Sequence, residues 1–405
     1  MELFKIKDMT AFTGGMTPTN FYSGLNSLNS NNLSIILYNV KAFGATGDGI
    51  TDDTVAIQTG INAVVTAGGG VLYFPNGIYI ISGALQTNIA TVNYKSQLYI
   101  PQDSMTAGRV HISLVGEIPP NFFQSAGIGS ATPPVTGVIL KSTLVSSTSL
   151  SYVIASKGLA ANYGSENYND CSIENIQIRV AVDGSSRVTL GGIGFRDAIN
   201  AIIRNVSVFP DINLVNSGIP QNNCVGIAMP KENCEHMNIV ENCNVGGMES
   251  GYWIGEHTSL QNTVANSCKY GYNFGRNYHH ARTSRIAAYW CINDIYISGE
   301  SYMKVDGLQS EWKQAGKWYD SGYTILDPNN YGHGEIHYSI VEANVGFNNA
   351  KFTKSGGANL QYYPMAFTAA SSFTVTGKRN DSTALTNLLT ALAAKGIIID
   401  STTAS

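Results

Sequence analysis

A loose repeat of 20 to 25 residues, running from about residue 170 to 350, restricts the folds open to this chain more than any other feature. Four strand-like segments recur: Gly251-Tyr252-Trp253-Ile254-Gly255, Gly271-Tyr272-Asn273-Phe274-Gly275, Asp294-Ile295-Tyr296-Ile297-Ser298-Gly299 and Gly316-Lys317-Trp318-Tyr319-Asp320-Ser321-Gly322, with starts 20 to 23 residues apart. A second set runs beside it: Asn238-Ile239-Val240-Glu241-Asn242 and Asn262-Thr263-Val264-Ala265-Asn266, offset by 24, with earlier cousins at Glu174 to Ile178 and Arg204 to Val208. Two interleaved series with one period describe a chain that coils and meets itself once per turn. That is a solenoid, in which each turn packs only on its neighbours. It also accommodates 405 residues at 43% apolar content without one oversized globular core.

Before the repeat, Tyr38-Asn39-Val40-Lys41-Ala42-Phe43-Gly44 leads through the turn Asp48-Gly49 to a helix start at Thr51-Asp52-Asp53. Ile57, Ile61, Val64 and Val65 put an apolar stripe on one helix face, and Gly68-Gly69-Gly70 ends it. The strand Val71-Leu72-Tyr73-Phe74-Pro75, the turn Asn76-Gly77 and the strand Ile78-Tyr79-Ile80-Ile81 follow. Asp48, Asp52 and Asp53 do not have the spacing of a calcium loop and are expected to serve turns and the helix cap.

The run from Asn39 to Thr54, followed by Gly68 to Tyr79, resembles the opening of the pectate-lyase-like superfamily, which phage tailspikes and many polysaccharide-degrading enzymes share. The resemblance implies an all-β fold: a right-handed single-stranded parallel β-helix with an N-terminal capping helix near 52–66 and a small C-terminal helix and strand cap. It fixes no reaction, and no catalytic position can be carried over from it. It does imply a homotrimer. The expected divisions are an attachment or linker segment at 1–36, rich in Asn, Ser and Gly, the β-helix at 37–365, and a C-terminal cap or trimerisation segment at 366–405. The last carries a leucine stripe (Leu385, Leu388, Leu389, Leu392) and then Ile397-Ile398-Ile399.

Charged residues make up only 13% of the chain, while 42 Gly and 22 Tyr join many Asn, Ser and Thr. Such a surface suits hydroxyl-rich ligands. A net charge of −4 without a recurrent Lys/Arg cluster argues against nucleic acid. No apolar run is long enough for membrane insertion, and the N-terminus has no signal-peptide pattern, so a virion location or release by lysis is expected. The six cysteines (Cys171, Cys224, Cys234, Cys243, Cys268, Cys291) contain no C-x-x-C pair and read as free thiols; Cys243, Cys268 and Cys291, spaced by 25 and 23, suggest one stacked column.

Aligning the repeats places Lys231, Glu256, Arg276 and Glu300 just past successive strands, with alternating sign. Glu256 and Glu300, two turns apart with backbones roughly 10 Å apart, suit an inverting glycosidase pair. The same column equally describes a surface ion-pair ladder that does no chemistry. Glu249 and Glu311 are the further candidate acids. Trp253, Trp290, Trp312 and Trp318 lie in the same turns as Tyr252, Tyr272, Tyr289 and Tyr319, and flat rings suit the apolar faces of sugars. Arg276, Tyr278 and His280, within one expected loop, offer a base and a charge neutraliser for β-elimination instead. His279 and His280 are neighbours that face opposite ways in extended chain, so no metal site is expected, and no cofactor motif is present.

The expected function is therefore that of a tailspike-like receptor-binding protein. It would bind a bacterial surface polysaccharide, capsular or exopolysaccharide, and depolymerise it by glycoside hydrolysis with paired carboxylates, attached to a phage tail or baseplate through its N-terminal segment. A non-catalytic glycan-binding adhesin and a polysaccharide lyase are the alternatives.

Overall fold

The computed structural model describes residues 37–89, 94–100, 111–119, 137–145, 151–156, 171–182, 189–195, 200–211, 220–229, 238–275, 277–311, 324–329, 331–342 and 360–364. The expected segments 1–36 and 366–405 lie outside them, as does Cys234.

The described chain is a parallel β-helix. Its strands form two hydrogen-bonded systems of 17 and nine strands, parallel throughout except for the pairing of Gln86–Ile89 with Tyr94–Ile100. Each full turn crosses three walls. Wall 1 is the nine-stranded sheet, and its members include Val225–Met229, Ser250–Ile254, Tyr270–Phe274 and Asn293–Ile297. Walls 2 and 3 share the larger system and meet at a sharp corner, so that one strand, Thr258–Asn266, bends at Asn262 and serves both.

The inward residues explain why this sequence coils. In wall 2 one continuous interior column runs Leu72, Leu114, Ile173, Ile203, Val240, Leu260, Thr283, Val305, Ile336, each in register with the next and all buried. In wall 3 the column runs Leu140, Ile178, Val208, Val245, Ala265, Ala288, Ser310 and so shrinks along the molecule. Wall 1 compensates: its interior column changes from Ile154, Ile193 and Ile227 to Tyr252 and Tyr272. The two rings stack at 5.1 Å and 6° inside the coil, filling the volume that the alanines leave. Gly226, Gly251 and Gly271 sit where the walls crowd: a Cβ on Gly226 would lie 2.1 Å from Val245.

The corner between walls 2 and 3 is set by backbone conformation. Asn175, Asn205, Asn242 and Asn262 occupy equivalent positions one turn apart, all left-handed (φ 50 to 59°), followed by Arg285 (φ 53°) and Gly307 (φ 72°). Asparagine tolerates this region better than most residues, and its side chain adds a ladder: Asn205 Nδ2 donates to Asn175 Oδ1 at 2.9 Å. The next residue of each turn points inward, which places Cys243 there, below Thr263 and Ile286. Cys268 and Cys291 share a different corner, two residues beyond the aligned Asn266 and Tyr289. The three cysteines therefore do not stack in one column. The five described cysteines are buried free thiols.

At the start of the coil, the helix α1 (Thr54–Thr66) buries Ile57, Ile61 and Val64 against the first strands. The three aspartates do serve turns: Asp48 accepts from the N–H groups of Ile50 and Thr51, and buried Asp53 from those of Thr46 and Gly47. The side-chain cap, however, comes from Asp52, which accepts from Thr54 N at 3.0 Å, while Asp53 makes no capping bond.

Candidate functional site: the outer face of wall 1

Wall 1 strands alternate, so the neighbours of the buried Tyr252, Tyr272 and Ile295 face outward. These are Trp253, Asn273 and Tyr296, in register and half-buried. Tyr270, at the start of its strand, reaches the same face and stacks on Tyr296 with centroids 4.2 Å apart and 20° between planes. Asn273 is held by its neighbours: its Nδ2 donates to Ser250 Oγ at 3.4 Å, and Ser298 Oγ donates to its Oδ1 at 2.6 Å. A ring platform flanked by a fixed amide can take the apolar face of a sugar and one of its hydroxyls together.

Where wall 1 begins, Glu249 and Lys269 occupy equivalent positions one turn apart, each just before the aligned Ser250 and Tyr270. They form an ion pair of 2.8 Å, and Asn223 N donates to the second carboxylate oxygen at 2.7 Å. The ammonium also lies 5.0 Å from the Tyr270 ring centroid. Burial opposes charge on Lys269, but the Glu249 carboxylate outweighs it and holds the ammonium pKa above its ordinary value. Burial, with Tyr270 alongside, raises that of Tyr296. Glu249 closes one side of a cavity of about 170 Å³ lined also by Tyr152, Asn223, Val225 and Ser250. The result is a shallow face with an aromatic floor and a polar, charge-balanced rim.

Residues 37–99 match the family model described as "Rhamnogalacturonase A/epimerase, pectate lyase-like". The match covers the opening of the coil, from its first strand to the strand Tyr94–Ile100. The chain is 47% identical over 78 residues to the mannuronan C5-epimerase AlgE5 of Azotobacter vinelandii, covering 19% of the chain and 8% of that protein. It is 49% identical over 78 residues to alginate lyase 7 of the same organism, covering 19% and 9%. It thus spans under a tenth of the length of these curated relatives. Among solved structures, the enzymatically active domain of bacteriophage CBA120 tailspike protein 2 is similar at 10% identity and a TM-score of 0.38, over 86% of this chain and 54% of that one.

The structure separates the acids that the repeat alignment had put in one column. Glu256 is fully buried at the corner after its strand, and its carbonyl accepts from Thr258 Oγ1. Glu300 is half-exposed and lies three residues past Ile297, whereas Glu256 lies two past the equivalent Ile254. One residue of slip at a corner moves a side chain to another face, so these two do not form an exposed pair. Tyr252 and Tyr272 are interior residues, each hydroxyl donating to carbonyl oxygens within the coil. Trp253 is on the outer face, and Trp290 is half-buried at the corner leading into wall 1, with a left-handed backbone (φ 51°) that is strained for a bulky residue.

The expected loop around Tyr278 and His280 belongs to a strand, Asn277–Tyr289, that runs through walls 2 and 3, with two extra residues between Asn277 and His280 relative to the strand above. His280 is there in register with Tyr302. Glu311 ends the strand Ser301–Glu311, in register with Tyr289 and Glu342. Arg276, Trp312 and Trp318 lie outside the described residues.

Lys269, Tyr270, Asn273 and Tyr296 were missed as site residues. The signal was nonetheless present, because opposite charges stand at the same offset just before two consecutive repeats, where the alignment considered only the positions just after them. Among the described residues no group of three His, Cys, Asp or Glu side chains is placed to hold a metal ion, and no helix is long and apolar enough to cross a membrane.

Proposed function

We propose that the protein is a tailspike-like receptor-binding protein that holds a bacterial surface polysaccharide on the outer face of wall 1 and depolymerises it by glycoside hydrolysis. The observation that carries this reading is the Tyr270–Tyr296 stack beside the cavity framed by the Glu249–Lys269 pair. Rings supply contact area, and the fixed amide and carboxylate supply direction to hydroxyls. In this reading the protein is a homotrimer, attached to a phage tail or baseplate through its N-terminal segment.

The test is affinity electrophoresis against a set of purified neutral and acidic bacterial polysaccharides, alginate included, followed by chain-length and reducing-end measurements. Binding by the unmodified protein that falls at least tenfold in Tyr296→Ala and Tyr270→Ala supports the wall 1 face; unchanged binding in both variants removes it. Binding without shortening replaces the depolymerase with a non-catalytic adhesin.

Elimination is the second reading. It is favoured by exposed cations on wall 2, Arg282 and Lys304, which could neutralise a uronate, and by relatives named for mannuronan and alginate. A rise in ultraviolet absorbance from an unsaturated uronate product, absent in hydrolysis, separates the two.

A further inference from the structure

We propose that the glycosidic bond is cut on the outer face of wall 2, around the corner from the binding face, by the carboxyl groups of Asp306 and Glu335. The inference rests on the depolymerase reading above and adds the residues that would perform it. Along the strand Ser301–Glu311 exposure alternates cleanly: Tyr302, Lys304 and Asp306 are exposed, Met303 and Val305 buried. In the next strand, Gly332–Glu342, Glu335 is aligned with Lys304, and His337 with Asp306. Glu335 thus sits one strand over and two residues back from Asp306, on the same outer face. With strands about 4.8 Å apart and a rise of about 3.3 Å per residue, the two Cα atoms are roughly 8 Å apart. Inverting glycosidases hold their carboxyl groups at about 6.5 to 9.5 Å, which leaves room for a water.

The surroundings suit a sugar. Two residues before Lys304, Tyr302 is 39% exposed and stacks on His333 at 4.6 Å and 13°. Glu300, at the corner between walls 1 and 2, brings Oε1 to 3.9 Å from His333 Nε2. Lys304 Nζ lies 3.8 Å from Asp306 Oδ2, and Arg282 is aligned with Lys304 on the strand below. Ring platform, acids and cations therefore share one outer face over three turns, with Glu335 and His333 half-buried in it. In earlier turns of the same wall, the positions in line with Asp306 hold Glu174, Arg204 and Glu241, which pair with each other at 3.4 and 3.0 Å.

In the reaction, one carboxylic acid of the pair donates its proton to the glycosidic oxygen as the C1–O bond breaks. The other carboxylate takes a proton from a water whose oxygen bonds to C1 from the opposite side. The products are a free hydroxyl on the departing sugar and a reducing end of inverted configuration, and proton exchange with solvent resets the pair.

The experiment uses the full chain and a polysaccharide that it shortens in the set above. Asp306→Asn and Glu335→Gln are each expected to lower reducing-end release by about 100- to 10,000-fold while leaving polysaccharide binding intact. Glu241→Gln, in the ion-paired ladder of the same wall, should leave turnover unchanged. Nuclear magnetic resonance of the first product should show the inverted anomer. Turnover within a few-fold of normal in both acid variants, or a product of retained configuration, overturns the assignment while leaving the depolymerase reading standing. If the unmodified protein shortens nothing in the set, that reading fails and the assignment fails with it.

Discussion

A tyrosine inside a narrow coil has to place its hydroxyl, and Tyr252 does so by donating to the carbonyl oxygens of Cys243 and Val264, at 2.9 and 3.0 Å. Burial raises its pKa well above the ordinary value, with the neighbouring Tyr272 adding to the shift. Tyr252→Phe keeps the ring stack and removes the donor, so a loss of about 1 kcal/mol is expected from the urea midpoint. Gly226→Ala is expected to cost more, about 1 to 3 kcal/mol, because its new Cβ would meet Val245 and the Gly251 carbonyl oxygen. Neither role could be read from the repeat alone. Alternation within one strand is legible, and it does separate Tyr252 from Trp253. Which of the two parities faces inward is decided at the corners, whose lengths vary from turn to turn. That is why Glu256, which the repeat sets in line with Glu300, is buried while Glu300 is exposed.

Among the elements, the helix α1 and the turns before it were the most legible, since a cap, an apolar stripe and a glycine stop agree in one short stretch. Their chemistry gives a pH dependence. Burial works against the Asp52 carboxylate, but hydrogen bonds from Ser82 and Thr54 outweigh it and bring its pKa down to about 2. A carboxylate depressed on folding contributes stability that is fully present above its unfolded value, near 3.9, and disappears as pH falls through about 2. Hydrogen exchange of the Thr54 and Ser82 amides should therefore accelerate across that window, and Asp52→Asn should flatten the response. The strand Asn277–Tyr289 was the least legible element. Its run of Tyr, His and Arg looks like a polar loop, and only pairing with strands on both sides extends it.

For the whole molecule, the repeat period was enough to establish a coil of parallel strands, and the opening residues were enough to place its capping helix and first turns. The two outer faces were harder to read because each is assembled from residues about 20 apart. Only register puts Glu249 beside Lys269, or Glu335 across from Lys304. The proposed trimer makes a prediction at this scale: sedimentation equilibrium of the full chain should return three times the monomer mass at micromolar concentration, and a monomeric mass would discard it. The left-handed asparagine corner carries one last consequence. Since it recurs at the same place in turn after turn, a complete circuit of the spiral begins and ends on matching backbone. Copying or excising one such circuit should lengthen or shorten the rod by a single increment of about 4.8 Å while leaving both ends as they were, much as a carpenter's rule gains or loses a segment.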